Sequence, residues 1–484
     1  GAVVVPILTD FTPTQIYNIL EHAEARIVCV SEKLRAKLTS LPSGTVVRDI
    51  RQSYAPPASP VLLPDVAADD LAMIVYTSGT TGLSKGVMLT HRNILSNATA
   101  CKSIISLHRT DRLLSILPLA HTYEFTIGTV IPLLSGAHIH YLDRPPSATA
   151  LIPALQAVRP TIMLSVPLVI EKIYRSSIKP TLDGMKLYKN KLFRPLILFF
   201  AGIKLKKTFG GHLRFFGVGG APLAADVEEF LKKARFPYAI GYGLTECAPL
   251  LAGCGPRFTL LRSIGPALKG VQLRIADPRP DTGEGEIQAR GPNIFKGYWR
   301  DDARTREAFT DDGWFRTGDL GFLDKKGRLF IRGRLKTMIL GASGENIYPE
   351  EIESILNQMP EVAESLVVEE EGLTALVYLK SEVLENLEAR LLDKIDAAGE
   401  LGSRVGEAIA NAEKSVANTV SHAVVDAEKA LEHLLENIRK EANAKLASFS
   451  RIQHVKMHTE PFEKTPTQKI KRFLYGKKSA EGIR

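Results

Sequence analysis

No stretch of this chain constrains its fold more than Tyr76-Thr-Ser-Gly-Thr-Thr-Gly-Leu-Ser-Lys-Gly86. The apolar run Leu71-Ala-Met-Ile-Val75 before it reads as a strand, and a helix is expected from Asn93. Between them Thr77, Ser78, Thr80 and Thr81 bring hydroxyls, Gly79, Gly82 and Gly86 free the backbone, and Lys85 adds a point charge. Glycines let amides approach an anion closely, and hydroxyls and an ammonium add donors, so the loop suits a polyphosphate. The Walker loop is excluded, because Lys85 follows Ser84 and precedes Gly86. Taken alone, the stretch could also be a Ser/Thr-rich linker.

At 484 residues the chain calls for two or three domains. Its 45% apolar and 24% charged content suits a globular protein with a large core. The formal charge of +9 is a modest excess. It can attract anionic substrates or a membrane surface, but it is not the dense basic footprint of a nucleic-acid binder, so no nucleic acid is expected. Cys29, Cys101, Cys247 and Cys254 lack C-x-x-C spacing, which argues against a zinc site or disulfide framework and fits a reducing cytoplasm. No signal peptide is visible, and no apolar run approaches the ~18 residues that span a bilayer. The chain opens Gly1-Ala-Val-Val-Val-Pro6, without Met and as though inside a strand, so a preceding segment is expected.

Alternating apolar runs and helical patterns continue along the chain, the β-α-β rhythm of a parallel sheet. Strands are expected at Arg26–Val30, Asp111–Leu117, Pro160–Val166 and His212–Val218. The last ends in Gly219-Gly220-Ala221-Pro222, and Tyr238-Ala-Ile240 leads into Gly241-Tyr242-Gly243-Leu-Thr245-Glu246. Glycine turns at strand ends are where such folds place ligands. Val271–Ile275 and Gly285–Arg290 alternate, which predicts antiparallel, half-exposed strands. Pro349 can start a helix that Glu350 and Glu351 suit electrostatically. In residues 186–207 an apolar centre, Pro195–Ile203, is flanked by lysines. That arrangement suits an anionic membrane surface or, alternatively, a buried helix with solvated ends. From Ser381 to about Ser448 the chain is proline-free, with apolar residues at helical spacing (Leu384, Leu387, Leu391, Ile395; Val416, Val420, Val424; Leu431, Leu434, Ile438, Ala442). Two or three amphipathic helices are expected there, structural or contacting another protein.

Taken in order, the loop, the Gly219–Pro222 turn, the Tyr242–Glu246 motif, the Thr317-Gly-Asp319 block and the closing Lys464-Thr-Pro-Thr-Gln-Lys469 resemble the adenylate-forming superfamily. That superfamily comprises acyl-CoA synthetases, luciferases and peptide-synthetase adenylation domains. The wording Gly344-Glu-Asn-Ile-Tyr-Pro-Glu-Glu351 most resembles long-chain acyl-CoA synthetases. The resemblance implies an α/β fold with a large domain over residues 1–335 and a smaller, mobile α+β domain over residues 336–484, in which 381–448 is a helical insertion. It implies that the loop at Thr77–Gly82 and Lys85 closes on the β- and γ-phosphates of ATP, and that Gly219, Gly220, Ala221 and Pro222 border the adenine. Tyr242 would stack on the base beside Gly243, Thr245 would bond the α-phosphate, and Glu246 would help hold Mg²⁺. Asp319, with Arg334, would grip the ribose, and His121 would lie beside the acyl carboxylate. His121 could also be a helix-end histidine with a structural hydrogen bond. Lys336 falls on the hinge, Gly341 and Gly344 on the loop facing the coenzyme A channel, and Lys469 on the catalytic lysine that arrives from the small domain.

The implied partners are a fatty acid, ATP and coenzyme A. The carboxylate attacks the α-phosphate and expels pyrophosphate, then the coenzyme A thiol attacks the acyl-adenylate and expels AMP. Two other readings remain open at this point: acyl transfer to a carrier protein's phosphopantetheine, and a silent membrane-associated scaffold. The expected location is cytoplasmic, with peripheral contact at the inner face of the membrane through 186–207.

Overall fold

The computed structural model describes residues 1–51, 64–77, 85–142, 144, 146–340, 345–370, 372–386, 389, 429–464 and 470–475. The chain divides into two compact units, Gly1–Ile331 and Arg332–Arg484.

The larger unit is organised on a six-stranded sheet. Its spatial order is Leu250–Gly253, Tyr238–Gly243, Phe215–Val218, Ile162–Ser165, Arg112–Ser115 and His138–Tyr141. The first pair is antiparallel and the others are parallel. Ile162–Ser165 and Phe215–Val218 are buried at every position, because both faces are covered. Successive side chains go to opposite sides: Met163 and Phe216 join Leu155, Leu205, Phe209 and Val227, while Ile162, Leu164 and Phe215 join Ala98, Cys101, Ile127 and Ile131. Helices Ala148–Val158, Arg194–Thr208 and Ala225–Lys233 supply the first layer, and His91–Cys101 with the π-helix Tyr123–Val130 supplies the second.

A five-stranded sheet follows, ordered Gly265–Pro266, Arg328–Arg334, Phe315–Leu323, Gly285–Arg290 and Gln272–Ala276. The last two strands pair antiparallel, as their alternation predicts. Gly285–Arg290 is more deeply buried than half-exposed, however. Ile287 and Ala289 enter the core, and Gln288 is covered where it accepts from Arg274 Nε at 2.8 Å.

The helix expected from Asn93 is present as His91–Cys101, and ahead of it the structure has an element that the sequence reading did not name. Lys85–Thr90 is a strand that runs antiparallel to Leu71–Thr77, with Lys85 opposite Thr77. Helix His91–Cys101 comes only then, started by a capping box between Thr90 and Asn93. Because Lys85–Thr90 is a strand, the N-terminus of helix His91–Cys101 stands at the far end of that strand from Lys85. At the start of the chain, among the described residues, Val4 alone bridges the sheet, to Met73, and Ala2–Val5 forms no full strand.

The smaller unit is α+β. Val362–Glu369 pairs antiparallel with Leu373–Leu379, which pairs parallel with His454–Met457. Helix Pro349–Leu356, started by its proline, buries Ile352 and Leu356 on this sheet. Helix 429–443 does the same with Ile438 and Ala442, backed by Leu431, Leu434 and Leu435. The end of the stretch read as an insertion is thus part of the unit's own core, because its apolar stripe meets Ala375 and Val377. Leu384 packs there as well. Leu387, Leu391, Ile395, Val416, Val420 and Val424 lie outside the described residues.

Candidate active site

The parallel strands end along one edge of the six-stranded sheet. Ser165 is opposite Val218, and Val218 is opposite Ile240, so the Gly219–Pro222 and Gly241–Glu246 turns emerge side by side. The stretch from Pro118 to His121 leaves the end of Arg112–Ser115 on the same edge. Sequence-distant candidates therefore share the crevice where α/β folds bind ligands.

The Tyr242–Glu246 turn is tightly made. A Cβ on Gly243 would lie 1.9 Å from the Pro249 carbonyl, so only glycine fits. Leu244 N donates back to Pro249 O at 2.9 Å, and Thr245–Cys247 forms one 3₁₀ turn. Two buried asparagines, missed in the sequence, clamp it. Asn97 Nδ2 donates to Leu250 O at 2.6 Å, and Asn293 Nδ2 donates to Cys247 O at 2.9 Å and Leu250 O at 3.1 Å. Their roles depend on contacts across some 150 and 43 positions, and no local pattern reveals those.

On one side of the turn, the Tyr242 hydroxyl donates to Asp319 Oδ2 at 2.8 Å, both residues being buried. Burial, then the Asp319 carboxylate, hold the Tyr242 phenol well above its ordinary range, so it stays a donor. Asp319 follows Gly318, whose φ of 70° is left-handed, and its amide donates to Thr317 Oγ1 at 3.1 Å. The T-G-D block is an irregular stretch inside the strand Phe315–Leu323 that sets the Asp319 carboxylate on the Tyr242 hydroxyl.

On the other side, Glu246 Oε1 accepts from the Tyr298 hydroxyl at 2.9 Å, and Lys85 Nζ sits 4.9 Å from the centroid of the Tyr298 ring. Burial and Glu246 both raise the Tyr298 phenol pKa. Tyr298 is brought in because Gly297–Tyr298 pairs with Met88 and Val87 of the Lys85–Thr90 strand. Lys85, Tyr298 and Glu246 thus form a cation–aromatic–carboxylate row, in which Tyr298 is the member that sequence reasoning missed. Its signal, the short Gly-Tyr-Trp run, is too common to single out.

His121 is partly buried, and its carbonyl accepts from Phe125 N at 2.9 Å at the head of the π-helix. Behind it, Glu124 is buried and Glu124 Oε2 has no hydrogen-bond partner among the described residues. Burial pushes the Glu124 carboxyl up to about 7 despite a bond with Ser115. Tyr123 covers the next turn: a Cβ on Gly219 would meet its ring at 3.3 Å.

Arg334 ends the strand Arg328–Arg334, and Lys336 is exposed in the turn after it. Ser78, Gly79, Thr80, Thr81, Gly82, Gly341, Gly344 and Lys469 lie outside the described residues. The flanks of Lys469 are fastened within the small unit. Lys464 bridges Ile470, Lys464 Nζ pairs with Glu364, Lys471 with Glu463, and Arg472 with Glu353. The basic neighbours of Lys469 therefore have structural partners.

The description "AMP-binding enzyme" matches residues 1–299 of the chain. The long-chain-fatty-acid–CoA ligase FadD15 of Mycobacterium bovis is 30% identical over all of this chain and 83% of its own length. Long-chain-fatty-acid–CoA ligase 1 of Cavia porcellus is 32% identical over 84% of this chain and 59% of its own. Among solved structures, ATP-bound MatB from Rhodopseudomonas palustris superposes with a TM-score of 0.73 at 26% identity, covering 100% of this chain and 84% of that one. The chain belongs to the AMP-binding, adenylate-forming enzyme family. Within it, the chain groups with the long-chain acyl-CoA synthetases.

Proposed function

We propose that this chain is an AMP-forming acid–thiol ligase that activates a long-chain fatty acid with ATP and transfers the acyl group to coenzyme A. The observation that carries the reading is the convergence of Lys85, Tyr298 and Glu246 on one side of the strand-end turn and Tyr242 with Asp319 on the other. The relatives named as CoA ligases support coenzyme A as acceptor over a carrier protein.

In the first half-reaction a carboxylate oxygen attacks the α-phosphorus, the bond to the β-bridging oxygen breaks, and pyrophosphate leaves. Such displacement asks the protein for positioning and charge stabilisation. Lys85 meets the leaving phosphates, Thr245 donates to the α-phosphate, and Tyr242 and Asp319 fix the nucleoside, with Arg334 assisting at the ribose. Glu246 is the hard oxygen ligand for Mg²⁺. Its carboxylate, held by the Tyr298 hydroxyl, would suit a hard divalent cation. Mg²⁺ supplies neutralisation of phosphate charge. In the second half-reaction the thiol sulfur attacks the acyl carbonyl carbon and AMP leaves with the pair of electrons. Lys469 acts in the first half-reaction, and Lys336 is the hinge that precedes the Gly341–Gly344 loop of the second.

An acyl-chain series assayed with coenzyme A and, separately, with a phosphopantetheine carrier protein tests the reading. Thioester formation with coenzyme A that peaks among long chains is expected. Transfer to the carrier alone would replace the reading.

A further inference from the structure

Helix Arg194–Thr208 buries one row, Leu198, Gly202 and Leu205, against the core. A Cβ on Gly202 would lie 2.0 Å from the Ala234 carbonyl, so the helix is seated closely. Its outward row is apolar too. Leu196, Phe199, Phe200 and Ile203 recur at i, i+3, i+4 and i+7, each between 38% and 59% exposed. A helix apolar all round is ordinarily buried all round. The adjacent helix Ala225–Lys233 shows the usual division, with Val227, Phe230 and Leu231 inward and the Glu229–Lys233 ion pair outward. The turn before Arg194 extends the apolar surface through Leu187, Leu192 and Phe193, all exposed.

Charge says what covers this face. Lys186, Lys189, Lys191 and Arg194 lie at one end and Lys204, Lys206 and Lys207 at the other, with no Asp or Glu between Asp183 and Asp226. Two copies joined through this face would set like charges opposite each other. We propose that the face docks on an anionic bilayer, with its apolar row entering the headgroup–acyl boundary and its lysines meeting lipid phosphates. This does not depend on the enzymatic reading.

The test is co-sedimentation of the full chain with vesicles of phosphatidylcholine, alone or mixed with phosphatidylglycerol. Binding is expected to the anionic vesicles and weakens with salt, because screening shortens from ~10 Å at 0.1 M to ~3 Å at 1 M. Leu196→Glu with Phe200→Glu should abolish binding, while Lys204→Ala and Lys207→Ala should each weaken it about fivefold. An unchanged unfolding midpoint separates lost docking from lost fold. If the glutamate pair lowers that midpoint, the lysine variants decide. Failure of the unsubstituted chain to bind anionic vesicles overturns the proposal. So does undiminished binding by a folded variant, or self-association in place of vesicle binding.

Discussion

The turn after Tyr242 and the π-helix after Thr122 both stand at strand ends of one sheet, yet they treat buried polar groups differently. Around the turn, Asn97, Asn293, Tyr298 and Asp319 each hold a named partner, and Asn293 Oδ1 is without one among the described residues. Along the π-helix, Glu124 Oε2, Thr126 Oγ1 and Thr129 Oγ1 are all without partners among the described residues. An unsatisfied buried group costs ~1–3 kcal/mol, and π-helices recur where function holds such a cost in place. The end we assign to the nucleotide is built in advance. The end we assign to the acyl group keeps an acid near neutrality instead of an ion pair. Gly128 is part of that arrangement, since a Cβ there would meet Glu124 Oε1 at 2.5 Å.

The largest expected effect falls on the prebuilt end. Glu246→Ala should lower the adenylation rate on the order of 10²–10³-fold, read as fatty-acid-dependent pyrophosphate release. A variant within tenfold of the unsubstituted enzyme would break the comparison. Lys85→Ala should slow the same half-reaction by at least about tenfold, as loss of a charge-assisted contact implies. Conversion of preformed acyl-AMP to thioester should stay unchanged, and equal loss in both halves would remove Lys85 from the leaving-group side. Tyr298→Phe deletes one hydrogen bond to Glu246 but keeps the ring under Lys85, so kcat/KM for ATP should fall only about fivefold.

The smallest effect, in stability, belongs to the other end. Native Glu124 keeps its proton up to about pH 7, while the unfolded chain releases it near the ordinary 4.5. Folding therefore takes up a proton between these values, and stability falls as pH rises through that window, by at most ~1.4 kcal/mol per unit. Glu124→Gln removes this contribution. The difference in unfolding free energy between variant and parent should therefore shift in the variant's favour from pH 4.5 to 7 and level off above. A difference that does not change with pH would mean that Glu124 is ionised in the native state.

What the sequence disclosed follows from where its information is local. The Tyr242–Glu246 and Thr317–Asp319 motifs, the parallel strands and the helix at Pro349 are each written in consecutive residues, and the structure has the strands and helix in place. Tyr298, Asn97, Asn293 and Glu124 were not read as site residues, because what distinguishes them is burial and a partner far along the chain. The Lys85–Thr90 strand escaped notice for a related reason. Six residues carry too little periodicity to tell a strand from a lead-in to the helix. The apolar stripe of helix 429–443 gives no sign in sequence of which surface receives it; the structure packs it with Val377 and Ala375. In 186–207 composition left two readings open, and exposure of Leu196, Phe200 and Ile203 separates them from a wholly buried helix.

Pyrophosphate exchange into ATP by the full chain, without coenzyme A, tests adenylation at the strand-end crevice most directly. Exchange that requires both a long-chain fatty acid and Mg²⁺, and that falls at least a hundredfold in Glu246→Ala, is the predicted result. Exchange that is absent with every fatty acid, or undiminished in that variant, would contradict it.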